Sequence, residues 1–125
     1  MLKVFVDASA VLELILKRPR AEDIIRFFDQ DSYQLCISPL TVHLAYYFGL
    51  KANVAPALIS HALSEFEILT MDASTVRVAQ KRLDGSDFED CLQAATAEQA
   101  NCELAITLDR KLSKSSGASL EVLVL

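Results

Sequence analysis

The sequence predicts an α/β fold, a mostly parallel sheet with helices on both faces in a three-layer α/β/α arrangement. Three observations carry that expectation. Short apolar segments alternate with stretches in which apolar residues recur three and four apart. Several of the short segments end on a polar or turn-forming residue. Strands separated by helices require crossover connections, which make parallel neighbours and cover both sheet faces.

Strand candidates are Lys3–Val6, Gln34–Ile37, Glu67–Leu69, Leu104–Thr107 and Glu121–Val124. Four run into Asp7, Ser38, Thr70, and Thr107 with Asp109 close behind. A helix is expected from about Ala10 to Leu16, with Val11, Leu12, Ile15 and Leu16 on one side. A second follows Pro19 and carries Ile24, Ile25, Phe27 and Phe28. Ser38 before Pro39 pairs a capping hydroxyl with a proline at the first helical position, predicting a helix over Pro39–Phe48. Asn53 is the expected cap of the next helix, with Pro56 tolerated in its first turn. Ser86 through Glu89 form a capping box that opens a helix to about Ala100, ended by Asn101. A short helix over Arg110–Ser113 precedes the last strand.

The 125 residues predict a single domain spanning 1–125, since domains cluster at roughly 100–150 residues. A 52% hydrophobic content with three Gly and three Pro argues for a packed globule with short connections. No apolar run approaches the ~20 residues needed to span a bilayer and no signal peptide opens the chain, so a cytoplasmic protein without a membrane partner is expected. Cys36, Cys91 and Cys102 are odd in number, lack a C-x-x-C pair, and read as small core residues of a reduced compartment. With only His43 and His61 beside them, a zinc site is not expected. The net charge of −5 does not advertise nucleic acid. Cations nevertheless bunch at Lys17, Arg18 and Arg20, at Lys81 and Arg82, and at Arg110, Lys111 and Lys114, and such local patches coexist with a negative chain.

Several chemistries fail on residues. Gly49, Gly85 and Gly117 are too far apart for a dinucleotide fingerprint or a P-loop, and no G-x-S-x-G elbow is present. A receiver-type site lacks the adjacent acids after the first strand. A haloacid-dehalogenase-like site lacks a second Asp two residues after Asp7, where Ser9 stands.

What remains is a carboxylate set: Asp7, Asp87, Glu89, Asp90 and Asp109. In parallel α/β folds ligands bind beyond the carboxyl ends of the strands, the edge expected to carry Asp7 and Asp109. Each acid also has a plain structural reading. Asp7 suits a cap of Ala8–Leu16, Asp87 and Glu89 suit the first turn of their helix, and Asp109 suits the start of the short helix. Asp90, one turn in and opposite Phe88, is harder to explain as a cap. Gathered within ~4–5 Å, ionised carboxylates repel by about 1 kcal/mol per pair in water and more in a cleft, and a divalent ion resolves that conflict. Mg²⁺ prefers hard oxygens, takes one or two protein carboxylates, and shares its shell with water and substrate phosphate.

The stretches "VFVDASAVLELILKRP", "CISPLTVHLAYY" and "DFEDCLQAATAEQANCELAITLDRKL" resemble the PIN domain, the nuclease fold of VapC-type toxins in toxin–antitoxin pairs. The resemblance covers essentially the whole chain. It implies a five-stranded parallel sheet, commonly a homodimer, and Mg²⁺- or Mn²⁺-dependent cleavage of RNA under the control of an antitoxin protein. It implies that Asp7, Asp90 and Asp109 are the catalytic, metal-holding acids. Asp87 matches an accessory acid, and Ser9 and Thr107 match supporting polar positions. Arg18, Arg20 and Arg110 are the cations expected to meet an RNA backbone. One position departs: Leu44 stands where the family usually has Glu or Asn. Its spacing from Leu40 and Tyr47 fits core packing. Leu44 therefore leaves a second expectation open, a PIN domain that binds RNA or a protein without cutting.

Overall fold

A computed structural model describes residues 1–85, 87–117 and 119–125. The elements are β1 (Leu2–Val6), α1 (Ala8–Ile15), α2 (Ala21–Phe28), β2 (Tyr33–Ile37), α3 (Pro39–Lys51) and α4 (Pro56–Leu63), then β3 (Glu67–Ile68), α5 (Ala73–Arg82), α6 (Phe88–Gln99), β4 (Leu104–Thr107), α7 (Lys111–Ser115) and β5 (Glu121–Val124). The strands form one sheet in the order β3-β2-β1-β4-β5, and every pairing is parallel.

Every expected strand is present, and burial falls from the centre of the sheet to its edges: β1 is largely buried, whereas β3 and β5 are mostly exposed. Val4, Phe5 and Val6 are fully buried, as a central parallel strand covered on both sides requires. Alternation divides them. Val4, Val6, Ile37 and Ile106 face a core with Val11 and Ile15 of α1, Ile24 and Phe27 of α2, Ala45 of α3 and Ile59 of α4. Phe5, Cys36 and Ala105 face the other core with Ala94 and Ala97 of α6 and Leu112 of α7. Burying a side chain of the Val or Phe class contributes about 1.5–3 kcal/mol, so β1 anchors both cores at once. Cys36, Cys91 and Cys102 are free thiols and all are buried. Among the described residues, no helix is long and apolar enough to cross a membrane.

The helices depart from expectation in four places. α5 was not legible: it packs against α6 but buries only Thr75 and Ala79, so its sequence carries almost no apolar stripe. Its start is marked by a capping box in which Thr75 replaces the usual Glu or Gln. α3 continues past Phe48 to Lys51, and Asn53 does not cap α4. Asn53 instead adopts φ 62°, a left-handed conformation that turns the chain out of α3, and Ala55 precedes Pro56 at the N-terminus of α4. Ser86, the expected cap of α6, lies outside the described residues, and Asp87 occupies the N-cap.

The fourth departure concerns α3. Its fully buried side is Thr41, Ala45 and Gly49. Leu44 is half-buried and belongs to neither core, and Tyr47 is 46% exposed. Plain core packing therefore does not account for Leu44. Helical spacing identified a shared face correctly but could not say which face of α3 the sheet would take.

Candidate active site

Chain order runs outward from β1 through β2 to β3, then returns to β4 on the other side of β1. The crevice at the carboxyl ends of β1 and β4 is thus the switch point of the sheet, where parallel α/β folds bind ligands. Register defines a row along that edge. Phe5 pairs with Cys36 and Val6 with Ile106, so continuing each ladder sets Asp7 between Ser38 and Thr107.

Asp7 is 5% exposed and sits at the N-cap position of α1, yet its side chain makes no capping bond. Its Oδ2 instead accepts from Thr107 Oγ1 at 2.7 Å and from Ser9 Oγ at 3.0 Å. Both hydroxyls accept in turn from backbone: Leu108 N–H donates to Ser9 Oγ at 3.0 Å, and Asp109 N–H to Thr107 Oγ1 at 3.0 Å. Each hydroxyl has one proton, and both protons are engaged with Asp7. The 3.1 Å approach between Ser9 and Thr107 is therefore a contact without its own proton.

Asp90 lies in the first turn of α6 and is 8% exposed. Burial, then repulsion from Asp7, Asp87, Asp109 and Glu89, raises its pKa to about 6. Burial also raises Asp7, with Asp109 adding to the shift, although bonds from Thr107, Ser9 and the Ala8 backbone oppose it. Glu89 is raised by burial and by Asp87 and Asp7. Carboxylates from the end of β1, the start of α6 and the turn after β4 thus feel one another. The structural readings hold in part. Asp87 does cap α6, accepting from Glu89 N–H at 2.8 Å, and Asp109 Oδ1 accepts from Lys111 N–H at 3.0 Å at the start of α7.

A cavity of about 390 Å³ opens beside these acids, lined by Asp84, Gly85, Asp87, Asp90, Lys111 and Lys114. A larger one of about 500 Å³, lined by Lys3, Glu67, Asp72 and Gln99 among others, includes none of Asp7, Asp90 or Asp109. Lys111 and Lys114 were visible only as a cation cluster, and the packing of α7 on α6 turns them toward the acids. Arg110 is exposed beside Asp109. Arg18 and Arg20 are exposed beyond the far end of α1, whose eight residues span about 12 Å, and the structure does not bring them to the acids.

Sequence reading also missed a buried polar triad. Ser38 Oγ donates to Gln93 Oε1 at 2.5 Å, Gln93 Nε2 donates to Thr41 Oγ1 at 2.8 Å, and Thr41 N–H donates to Ser38 Oγ at 3.1 Å. The signal was a lone amide in "CLQAATA", three residues after Asp90.

The donor set suits a hard divalent cation in kind: carboxylate oxygens that repel one another. It does not enclose one. Among the described residues, no three His, Cys, Asp or Glu side chains form a group that could hold a metal ion. The fit is therefore to an ion that takes one or two carboxylates and fills its shell with water and phosphate.

The sequence matches the family model for the PIN domain over residues 4–117, and the chain belongs to that family. A search of curated proteins by sequence finds no match. Solved structures share the fold. A chain of VapBC2 from Rickettsia felis, bound to a DNA fragment from their promoter, superposes with TM-score 0.70 at 16% identity, covering 99% of each chain. VapBC-1 from nontypeable Haemophilus influenzae gives 0.69 at 13% identity, covering 98% of each. PAE2754 from Pyrobaculum aerophilum gives 0.61 at 23% identity, covering 96% of this chain and 90% of that one.

Proposed function

We propose that this PIN domain is a divalent-metal-dependent ribonuclease and the toxin of a toxin–antitoxin pair. The observation that carries the reading is the convergence on Asp90, a carboxyl raised to about 6 by burial and by acids from three other points of the chain. Repulsion among gathered carboxylates is costly to a fold and useful to a cation site. Asp7, Asp90 and Asp109 would hold the ion, Asp109 through a bound water, with substrate phosphate taking open positions and Asp87 adding negative charge. Bound Mg²⁺ or Mn²⁺ would supply charge stabilisation for a phosphodiester and ease formation of hydroxide from water. The chain supplies orientation. Thr107 and Ser9 hold Asp7 Oδ2, leaving its other oxygen turned from them. Lys111 and Lys114 offer cations to an RNA phosphate beside the acids, a better location than Arg18 or Arg20.

The related chains occur in VapBC complexes, which supports an antitoxin partner that covers the acidic cleft. Homodimerisation, which the PIN resemblance implies, belongs to the same reading and is checked by light scattering. A second reading, binding of RNA or protein without cleavage, is favoured by Leu44, which supplies no ligand. Labelled RNA incubated with Mn²⁺ and wild type, Asp7→Asn or Asp90→Asn separates the two. Cleavage by wild type alone supports the nuclease. Equal inertness of all three, with no heat of Mn²⁺ binding, sinks it and leaves the binding module.

A further inference from the structure

Helix α6 carries both Asp90 and, one turn later on the same side, Gln93. Gln93 is fully buried, as are Ser38 and Thr41 to within 1%. A buried amide left without partners would cost the fold dearly, so the triad defines one seating of α6 against the start of α3. Ser38 anchors that seating to the sheet, because the β1–β2 register sets it beside Asp7. Ser38, beside Asp7 on the sheet edge, bonds Gln93, and Asp90 stands one turn before Gln93 on the same side of α6.

We infer that Gln93, clamped between Ser38 and Thr41, is a positioning residue that sets the carboxylate of Asp90 over Asp7. The inference rests on the metal-site reading of those two acids. Its geometry is specific. Gln93 Oε1 accepts from β2's end while its Nε2 donates into α3's first turn, so neither a slide nor a rotation of α6 keeps both bonds. An apolar residue of similar size would fill the space without fixing the register of the helix.

The test uses the full chain with Gln93→Leu, Thr41→Val and Thr41→Ser. Calorimetry with Mn²⁺ should show about tenfold weaker binding for the first two, the low end of the loss seen when a ligand's support is removed, and near wild-type binding for Thr41→Ser, which keeps its hydroxyl. A metal-free arm follows the Asp90 carboxyl by ¹³C NMR with and without Asp7→Asn. The effect of Asp7→Asn on Asp90 should be large in wild type and reduced in the Gln93→Leu background. A folded Gln93→Leu with wild-type Mn²⁺ affinity and an undiminished response to Asp7→Asn overturns the inference. Should Gln93→Leu fail to fold, Thr41→Val decides by the same two criteria. Should wild type bind no Mn²⁺, the metal-site reading fails and the NMR arm alone judges the positioning.

Discussion

Thr107 donates a 2.7 Å hydrogen bond to Asp7 across a separation of 100 residues, joining the ends of β1 and β4 at the switch point of the sheet. The same hydroxyl accepts from Asp109 N–H, so one side chain ties two of the candidate acids together.

Replacing Thr107 by Val keeps the shape and removes both roles. A bond to a charged acceptor contributes about 1.5–3 kcal/mol, and urea unfolding at pH 7 should show a loss of that size. The loss should shrink as the pH falls and Asp7 takes up a proton. A loss independent of pH would mean that the hydroxyl does not serve the carboxylate.

Asp90→Asn should stabilise the metal-free protein at pH 8. The folded pKa of Asp90 is raised from 3.8 to about 6, so between those values the folded state holds a proton that the unfolded chain has released. Stability from this group therefore falls as pH rises through that window and stays lower above it. The variant escapes that penalty, gaining about 3–5 °C in Tm per kcal/mol for a domain of this size. The gain should vanish near pH 4. With Mn²⁺ present the order reverses, since only wild type gains stability from a bound ion. A variant less stable than wild type at pH 8 without metal contradicts the electrostatic account.

Leu44→Glu should fold, because Leu44 belongs to neither core. Its Tm should lie within a few degrees of wild type, since a half-buried side chain outside both cores gives up little apolar burial. Mn²⁺ affinity should rise as a further carboxylate joins the set. Unchanged affinity in calorimetry would put the side chain off the site.

Lys111→Ala and Lys114→Ala should each weaken RNA binding and reduce the salt dependence of its logarithm by about 0.7, one single-strand phosphate contact apiece. Arg18→Ala and Arg20→Ala should leave that slope nearly unchanged, since both stand at the far end of α1. The reverse pattern, read by fluorescence titration at several salt concentrations, would move the RNA path to the other end of the molecule.

Much of this protein was legible in one dimension. Five apolar runs, their polar ends and the capping signals specify the strands, most helices and an acid beyond β1. These are local properties: periodicity and turn chemistry act within a few residues. α5 escaped because a helix seated on another helix by Thr75, Ala79 and a few polar bonds needs no apolar stripe.

Tertiary structure decided the rest. Strand order set β4 beside β1, and only then did Thr107 and Asp109 become neighbours of Asp7. Docking of α6 turned Gln93 from an isolated amide into a clamp, and docking of α3 on Thr41, Ala45 and Gly49 kept Leu44 out of the core. The physical reason is common to all three. Which face an element buries, and which distant strand it meets, depends on filling a shared interior and satisfying buried polar groups, and those conditions exist only once the chain has closed on itself.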